Sequence, residues 1–251
     1  ELYALDLSNN INLTYLDTRV NYNIDVLNVS NNTSLDTLIC QYNGLMDLDV
    51  SANTELNYLD CKANLTANLT GIEVLNLSEN INLKYVDCQY NDMYHLNTTG
   101  CINLEYLNCS GNNLTGLLDF LDVSTNINLY YLNTHTNNLT ELNISNNVNL
   151  ETLYCHKNDL SEIDLSNNIN LDYLSCGDNN LSELDVSNNI NLDGLSCGDN
   201  NLSELDVSNN INLDYLSCGD NNLSELDVSN NISLSTLRCS FNDLVSLDIS
   251  N

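Results

Sequence analysis

Residues 171–191 read LDYLSCGDNNLSELDVSNNIN, and they return at 192–212 with Gly194 in place of Tyr173 and at 213–233 with Ser233 in place of Asn191. A stretch of 21 residues written three times is one structural unit laid down repeatedly, so its internal pattern decides the fold. Leu174 and Cys176 alternate with polar neighbours, the period of a short strand, and a second alternating run follows at Leu184 and Val186. No segment carries apolar residues three and four apart for the ten to twelve residues that a packed helix needs. Each unit is therefore expected to be two extended pieces joined by tight corners. Stacked as a parallel ladder, the units rise by roughly 4.8 Å each, so eleven make a rod about 50 Å long.

Working outward, the period extends over the whole chain of 251 residues. One column holds Thr18, Cys40, Cys61, Cys88, Cys109, Thr134, Cys155, Cys176, Cys197, Cys218 and Cys239, which defines eleven turns. Three residues after each comes an asparagine, from Asn21, Asn43 and Asn64 through Asn221 and Asn242, without exception. An asparagine amide donates and accepts at once, so a stacked column satisfies backbone groups turned inward at a corner. A second polar column runs through Asp164-Ser166-Asn168 and its copies, with asparagine in the aspartate slot at Asn28, Asn76, Asn97 and Asn143. Because the neutral amide substitutes for the carboxylate, that slot requires a hydrogen-bond acceptor, with charge and metal coordination secondary.

The pattern L-x-x-L-x-C-x-x-N-x-L resembles the leucine-rich repeat signature with cysteine for the third leucine, and the short repeats are similar to those of the internalin type of bacterial surface protein, which also includes cysteine columns. The resemblance covers essentially the whole chain. It implies a leucine-rich repeat solenoid, mostly β, forming a single array over 1–251 that starts and stops in mid-repeat, as a segment of a longer chain does. It also implies an extracellular or cell-surface module that binds a protein or glycan ligand. A structural solenoid associating with copies of itself is the second reading.

Composition narrows the partners. Acidic residues number 35 against 5 basic ones, for a net charge of -30, so nucleic acid and bare anionic membrane are poor partners while cationic proteins, neutral sugars and metal cations remain. No run of about eighteen apolar residues is present to insert into a bilayer. An enzyme is not expected, since no nucleophile elbow, glycine-rich phosphate loop or H-E-x-x-H motif occurs. His135 and His156, at matching positions one turn apart, lack a third ligand for a transition metal.

The cysteines read as a reduced, buried packing ladder, with disulfides and metal as alternatives. In-register neighbours point the same way, which disfavours bridges, and no C-x-x-C spacing occurs. Thr18 and Thr134 match cysteine in size without a thiolate, so the slot selects a compact side chain. Cys101, in NTTGCINL, falls outside the column at a place where other turns keep asparagine.

The outward-facing position before each inner leucine is Tyr15, Thr37, Tyr58, Tyr85, Tyr106, Tyr131, Thr152, Tyr173, Gly194, Tyr215 and Thr236. The tyrosines form the candidate ligand-binding face, since tyrosine is a rigid amphipathic contact; stacking of each on its copy is the alternative reason for the residue. Asp17, Asp60 and Asp87 are expected to rim this face. Asp178, Asp199 and Asp220 stack at rung spacing, as do Glu183, Glu204 and Glu225 and also Asp172, Asp193 and Asp214. Their mutual repulsion makes the first column a candidate calcium site. Two insertions, LTANLT before Ile72 and four residues within TGLLDF before Leu121, leave the stack as loops. Asn68, in the first of them, is the candidate glycosylation acceptor among many N-x-S/T sequons, while Asn64 is expected to be buried.

Overall fold

The computed structural model describes residues 2–64, 71–114 and 121–250. Both inserted segments, and with them Asn68, lie outside the described residues. The chain divides into two compact units, Glu1–Leu129 and Tyr130–Asn251.

In the first unit, β1 (Tyr15–Asp17), β2 (Thr37–Ile39), β3 (Tyr58–Asp60), β5 (Tyr85–Asp87) and β7 (Tyr106–Asn108) pair in parallel and in register, leucine slot on leucine slot. In the second, β8 (Tyr131–Asn133), β9 (Thr152–Tyr154), β10 (Tyr173–Ser175), β11 (Gly194–Ser196), β12 (Tyr215–Ser217) and β14 (Thr236–Arg238) do the same. Five turns and six make eleven, and no helix occurs among the described residues. The middle residue of each strand points inward: Leu38, Leu59, Val86, Leu153, Leu174 and Leu195 are all fully buried. Register cannot slip, because a shift of one residue would put the leucine row in water.

Each strand is only three residues long, yet its ladder continues. Cys40 N–H donates to Asp60 O at 2.8 Å and Cys176 N–H to Ser196 O at 2.8 Å. Two residues on, Tyr42 N–H donates to Lys62 O and Asp178 N–H to Gly198 O. The backbone then turns through one left-handed residue per corner, among them Val20, Tyr42, Ala63, Thr136, Lys157 and Asp178, all with φ between 52° and 61°.

The second alternating run departs from expectation. Among the described residues it forms ladders only as β4 (Val74–Asn76) with β6 (His95–Asn97) and as β13 (Glu225–Asp227) with β15 (Ser246–Asp248). Elsewhere its hydrogen bonds close locally: Asp185 Oδ1 accepts from Ser187 N–H at 2.9 Å, and Asn189 N–H donates to Val186 O at 3.0 Å. The acceptor role deduced for this slot holds for both residue types, since Asn28 Oδ1 accepts from Ser30 N–H at 3.0 Å as Asp164 Oδ1 does from Ser166 N–H at 2.9 Å.

Both asparagine columns are buried ladders. Asn179 Nδ2 donates to Cys176 O of its own turn and Cys155 O of the preceding one, both at 3.1 Å, while its Oδ1 accepts from Leu160 N–H at 3.0 Å. Asn64 is fully buried, as expected, and its Nδ2 bonds Cys40 O and Cys61 O. In the second column Asn53 Nδ2 bonds Val29 O and Asn32 O. All ten cysteines are free, nine of them buried. Desolvation pushes Cys109 and Cys176 up to about 12, which keeps these thiols protonated and inert. Cys101 takes the asparagine slot of the second column, where its Sγ donates to Leu77 O at 3.3 Å.

Candidate ligand-binding face

The first residue of each strand faces outward, held there by the inward turn of the leucine after it. In the first unit Tyr15 is 54% exposed, whereas Tyr58, Tyr85 and Tyr106 are half-buried against one another. Their rings stack flush: Tyr58 on Tyr85 at 4.3 Å and 3°, Tyr85 on Tyr106 at 4.3 Å and 9°. Parallel strands in register place copies one rung apart, close to the thickness of two aromatic rings in contact, so the stack follows from the repeat itself. Burial raises the Tyr85 phenol well above its usual value, which keeps this central ring neutral.

The expected acidic rim is corrected by the structure. Asp17 is exposed and paired with Arg19, Nη2 to Oδ2 2.6 Å, but Asp60 and Asp87 are 4% and 2% exposed. Lys62 closes over both, its Nζ 3.2 Å from Asp60 Oδ2 and 2.8 Å from Asp87 Oδ2. A carboxylate is tolerated at this depth only beside such a counter-charge. Desolvation raises Asp60, with Lys62 working against it; Lys62 itself is raised because the two carboxylates outweigh the burial that opposes its charge. The sequence reading passed over Lys62; the signal it offered is that one of only five basic residues lies one place past the cysteine slot, next to an aspartate-bearing strand.

In the second unit the row changes character. Tyr131 meets Tyr154 at 5.9 Å and 50°, and Tyr154 meets Tyr173 at 5.2 Å and 38°. Tyr154 was missed by the reading of the tyrosine column because it stands at the third strand position, where neighbouring turns carry Asn133 and Ser175. Beside it His135 and His156 stack at 4.6 Å and 15°. Their Nδ1 atoms pair with Thr136 Oγ1 at 2.8 Å and Ser175 Oγ at 3.1 Å respectively. Desolvation lowers both imidazoles, His156 to about 4, so the pair is neutral at pH 7. Further along, Arg238 Nη1 donates to Tyr215 Oη at 3.1 Å with the guanidinium 5.6 Å from the ring centre.

Among the described residues no group of three or more histidine, cysteine or carboxylate side chains converges as a metal site. Asp178, Asp199 and Asp220 are exposed, one per turn, and each occupies the left-handed corner position, with φ of 52°, 55° and 53°. That conformation favours aspartate on its own account. Desolvation and then the charges of Asp178 and Asp220 raise Asp199, the direction expected of a repelling column. The second unit also carries a groove of about 850 Å³ with walls that include Glu183, Glu204 and Glu225 and a floor that includes Leu205 and Leu226.

No protein-family profile matches the chain, and no curated protein sequence matches it. Solved structures do. The functional domain of InlJ from Listeria monocytogenes, which includes a cysteine ladder, is 34% identical with a TM-score of 0.84, over 91% of this chain and 48% of that one. InlF, an internalin from Listeria monocytogenes, is 22% identical with a TM-score of 0.67, over 89% of this chain and 76% of its own, a likeness of fold. YopM from Yersinia enterocolitica is 25% identical with a TM-score of 0.65, over 86% of this chain and 49% of its own. The chain thus spans about half the length of the InlJ domain it matches.

Proposed function

Because the chain is a leucine-rich repeat protein of the internalin type, we propose that it is an extracellular or cell-surface binding module that holds a protein or glycan ligand on the strand face of each unit, along Tyr15, Tyr58, Tyr85 and Tyr106 in the first and along Tyr131, Tyr173 and Tyr215 in the second. The observation that carries this reading is the flush stack of Tyr58, Tyr85 and Tyr106. Rings already held by their neighbours lose little freedom when a ligand covers them, and they offer a continuous line of ring edges and hydroxyls. The chemistry on this face is noncovalent recognition: aromatic surface and the half-buried hydroxyls of Ser196 and Ser217.

The test is retention on protein and glycan arrays by the native chain and by a variant with Tyr58, Tyr85 and Tyr106 all changed to serine. Ligands retained by the native chain are expected to be lost by the variant while its melting curve stays cooperative. Equal retention by both overturns the assignment. A chain that retains nothing and instead assembles with copies of itself supports a structural solenoid.

A further inference from the structure

In the second unit the tyrosine row gives way to Thr152, Gly194 and Thr236, and the break at Gly194 has a shape. Within the Tyr58–Tyr85–Tyr106 stack both faces of Tyr85 are covered by neighbouring rings. Over β9 to β11 the rings of Tyr154 and Tyr173 are half-buried and tilted instead of flush. Tyr154 and Tyr173 meet at 38°, an angle at which neither covers the other. The next rung carries Gly194 where the repeats on either side carry Tyr173 and Tyr215, and the Tyr173 ring leans over it: a Cβ at 194 would stand 2.5 Å from Tyr173 Cδ2 and 2.7 Å from Cε2. A tyrosine at 194 would hold Tyr173 upright and continue the stack; glycine lets the ring tip over the rung, so that Gly194 is buried beneath it. Asp172 and Asp193, both exposed, immediately precede the two strands concerned.

The same sheet shows what such a ring accepts. Two strands on from Tyr173, the chain's own Arg238 lies 5.6 Å from the centre of the Tyr215 ring and bonds its hydroxyl. Guanidinium is planar and weakly hydrated, so it stacks on aromatic faces where ammonium stays in water. With a net charge of -30 the molecule draws cations toward its surface. The stacked imidazoles of His135 and His156 alongside, neutral at pH 7, do not oppose one.

We propose that the tilted pair formed by Tyr154 and by Tyr173, tipped over Gly194, seats an arginine side chain of a partner protein, with Asp172 and Asp193 supplying the counter-charge. This rests on the strand face being a binding surface, and it narrows the partner to one presenting a basic segment there.

The probe is a capped hexa-arginine peptide titrated calorimetrically into the full chain at low and physiological salt. Three variants accompany the native protein: Tyr173→Ser, Gly194→Tyr, and the double change Glu183→Gln with Glu204→Gln in the acidic groove. Gly194→Tyr tests the patch without threatening the fold, because it installs the residue that the flanking repeats carry. Both patch variants are expected to weaken binding by about fivefold or more, and the groove variant by less than about twofold. Patch variants indistinguishable from native, loss confined to the groove variant, or no hexa-arginine binding by the native chain would each overturn the proposal. Array retention that depends on Tyr58, Tyr85 and Tyr106 while hexa-arginine ignores Tyr173 overturns this assignment alone and leaves the broader reading standing.

Discussion

Val20 sits at a left-handed corner with φ of 61° and its side chain 47% exposed. Right-handed corners are open to any residue, but a β-branched one in this region crowds its own carbonyl. The same corner carries Gly111 with φ of 63° in one turn and aspartate at 178, 199 and 220 in others, so the backbone there is set by the stack and the residue merely tolerates it. Val20→Gly is expected to stabilise the chain by about 0.5 to 1 kcal/mol, the relief of strain exceeding glycine's entropic cost. Calorimetric melting measures this directly. Asp178→Gly, which starts from a residue suited to the conformation, is expected to change little by comparison. The corner also gives aspartate at 178, 199 and 220 a backbone reason that stands beside the candidate calcium reading of the same column.

At the scale of one turn, the second asparagine ladder contains an unbalanced account of hydrogen bonds. The Nδ2 atoms of Asn53, Asn189 and Asn210 each bond two carbonyls, but the Oδ1 atoms of Asn32, Asn53, Asn80, Asn168, Asn189 and Asn210 are buried without a hydrogen-bond partner. Asn126 differs, because Thr98 stands in the slot otherwise held by Val29, Val50 or Val186 and its Oγ1 donates to Asn126 Oδ1 at 2.8 Å. A single hydroxyl in the preceding turn therefore completes the amide. Val186→Thr, facing Asn210, repeats that arrangement. Threonine for buried valine ordinarily costs stability because its hydroxyl is desolvated. Here a new buried hydrogen bond returns about 1 kcal/mol, so denaturant unfolding is expected to place the variant at or above the native midpoint. A loss of more than about 2 kcal/mol would mean that the hydroxyl does not reach the amide.

Across the whole molecule, charge governs the response to solvent. Asp6, Asp164, Asp185 and Asp248 are each held below their usual value of 3.8, first by the side-chain hydrogen bond from the serine two residues on and then by its backbone N–H. A carboxyl lowered on folding contributes stability above its unfolded value and loses that contribution as pH falls through the folded one. Asp60 and Asp199 are shifted the other way, so their contribution is full below the unfolded value and lost as pH rises through the raised one. Acidification from pH 7 toward 4 is therefore expected to leave the melting temperature level or slightly higher, with a fall below the usual carboxylate value. At pH 7 sodium chloride is expected to raise it by screening the 35 acidic side chains. A melting temperature that declines steadily from pH 7 downward, or one insensitive to salt, would contradict this.

The repeat alone determined the solenoid, the inward leucine row, the reduced cysteine ladder, both asparagine ladders and the acceptor role at Asp164 and Asn28. Each of these depends only on a residue and its copies one period away, and a 21-residue period makes those copies neighbours in space. The sequence also placed the tyrosines on the outer face. What it did not reveal was that Asp60 and Asp87 are buried beneath Lys62, that Tyr154 joins the aromatic row, and that Tyr173 tips over Gly194. These arise between unlike residues on adjacent turns, where the reach of a lysine or the tilt of a ring decides the contact. Only the tertiary structure fixes such reach and tilt, because they depend on which side chain the next rung happens to present.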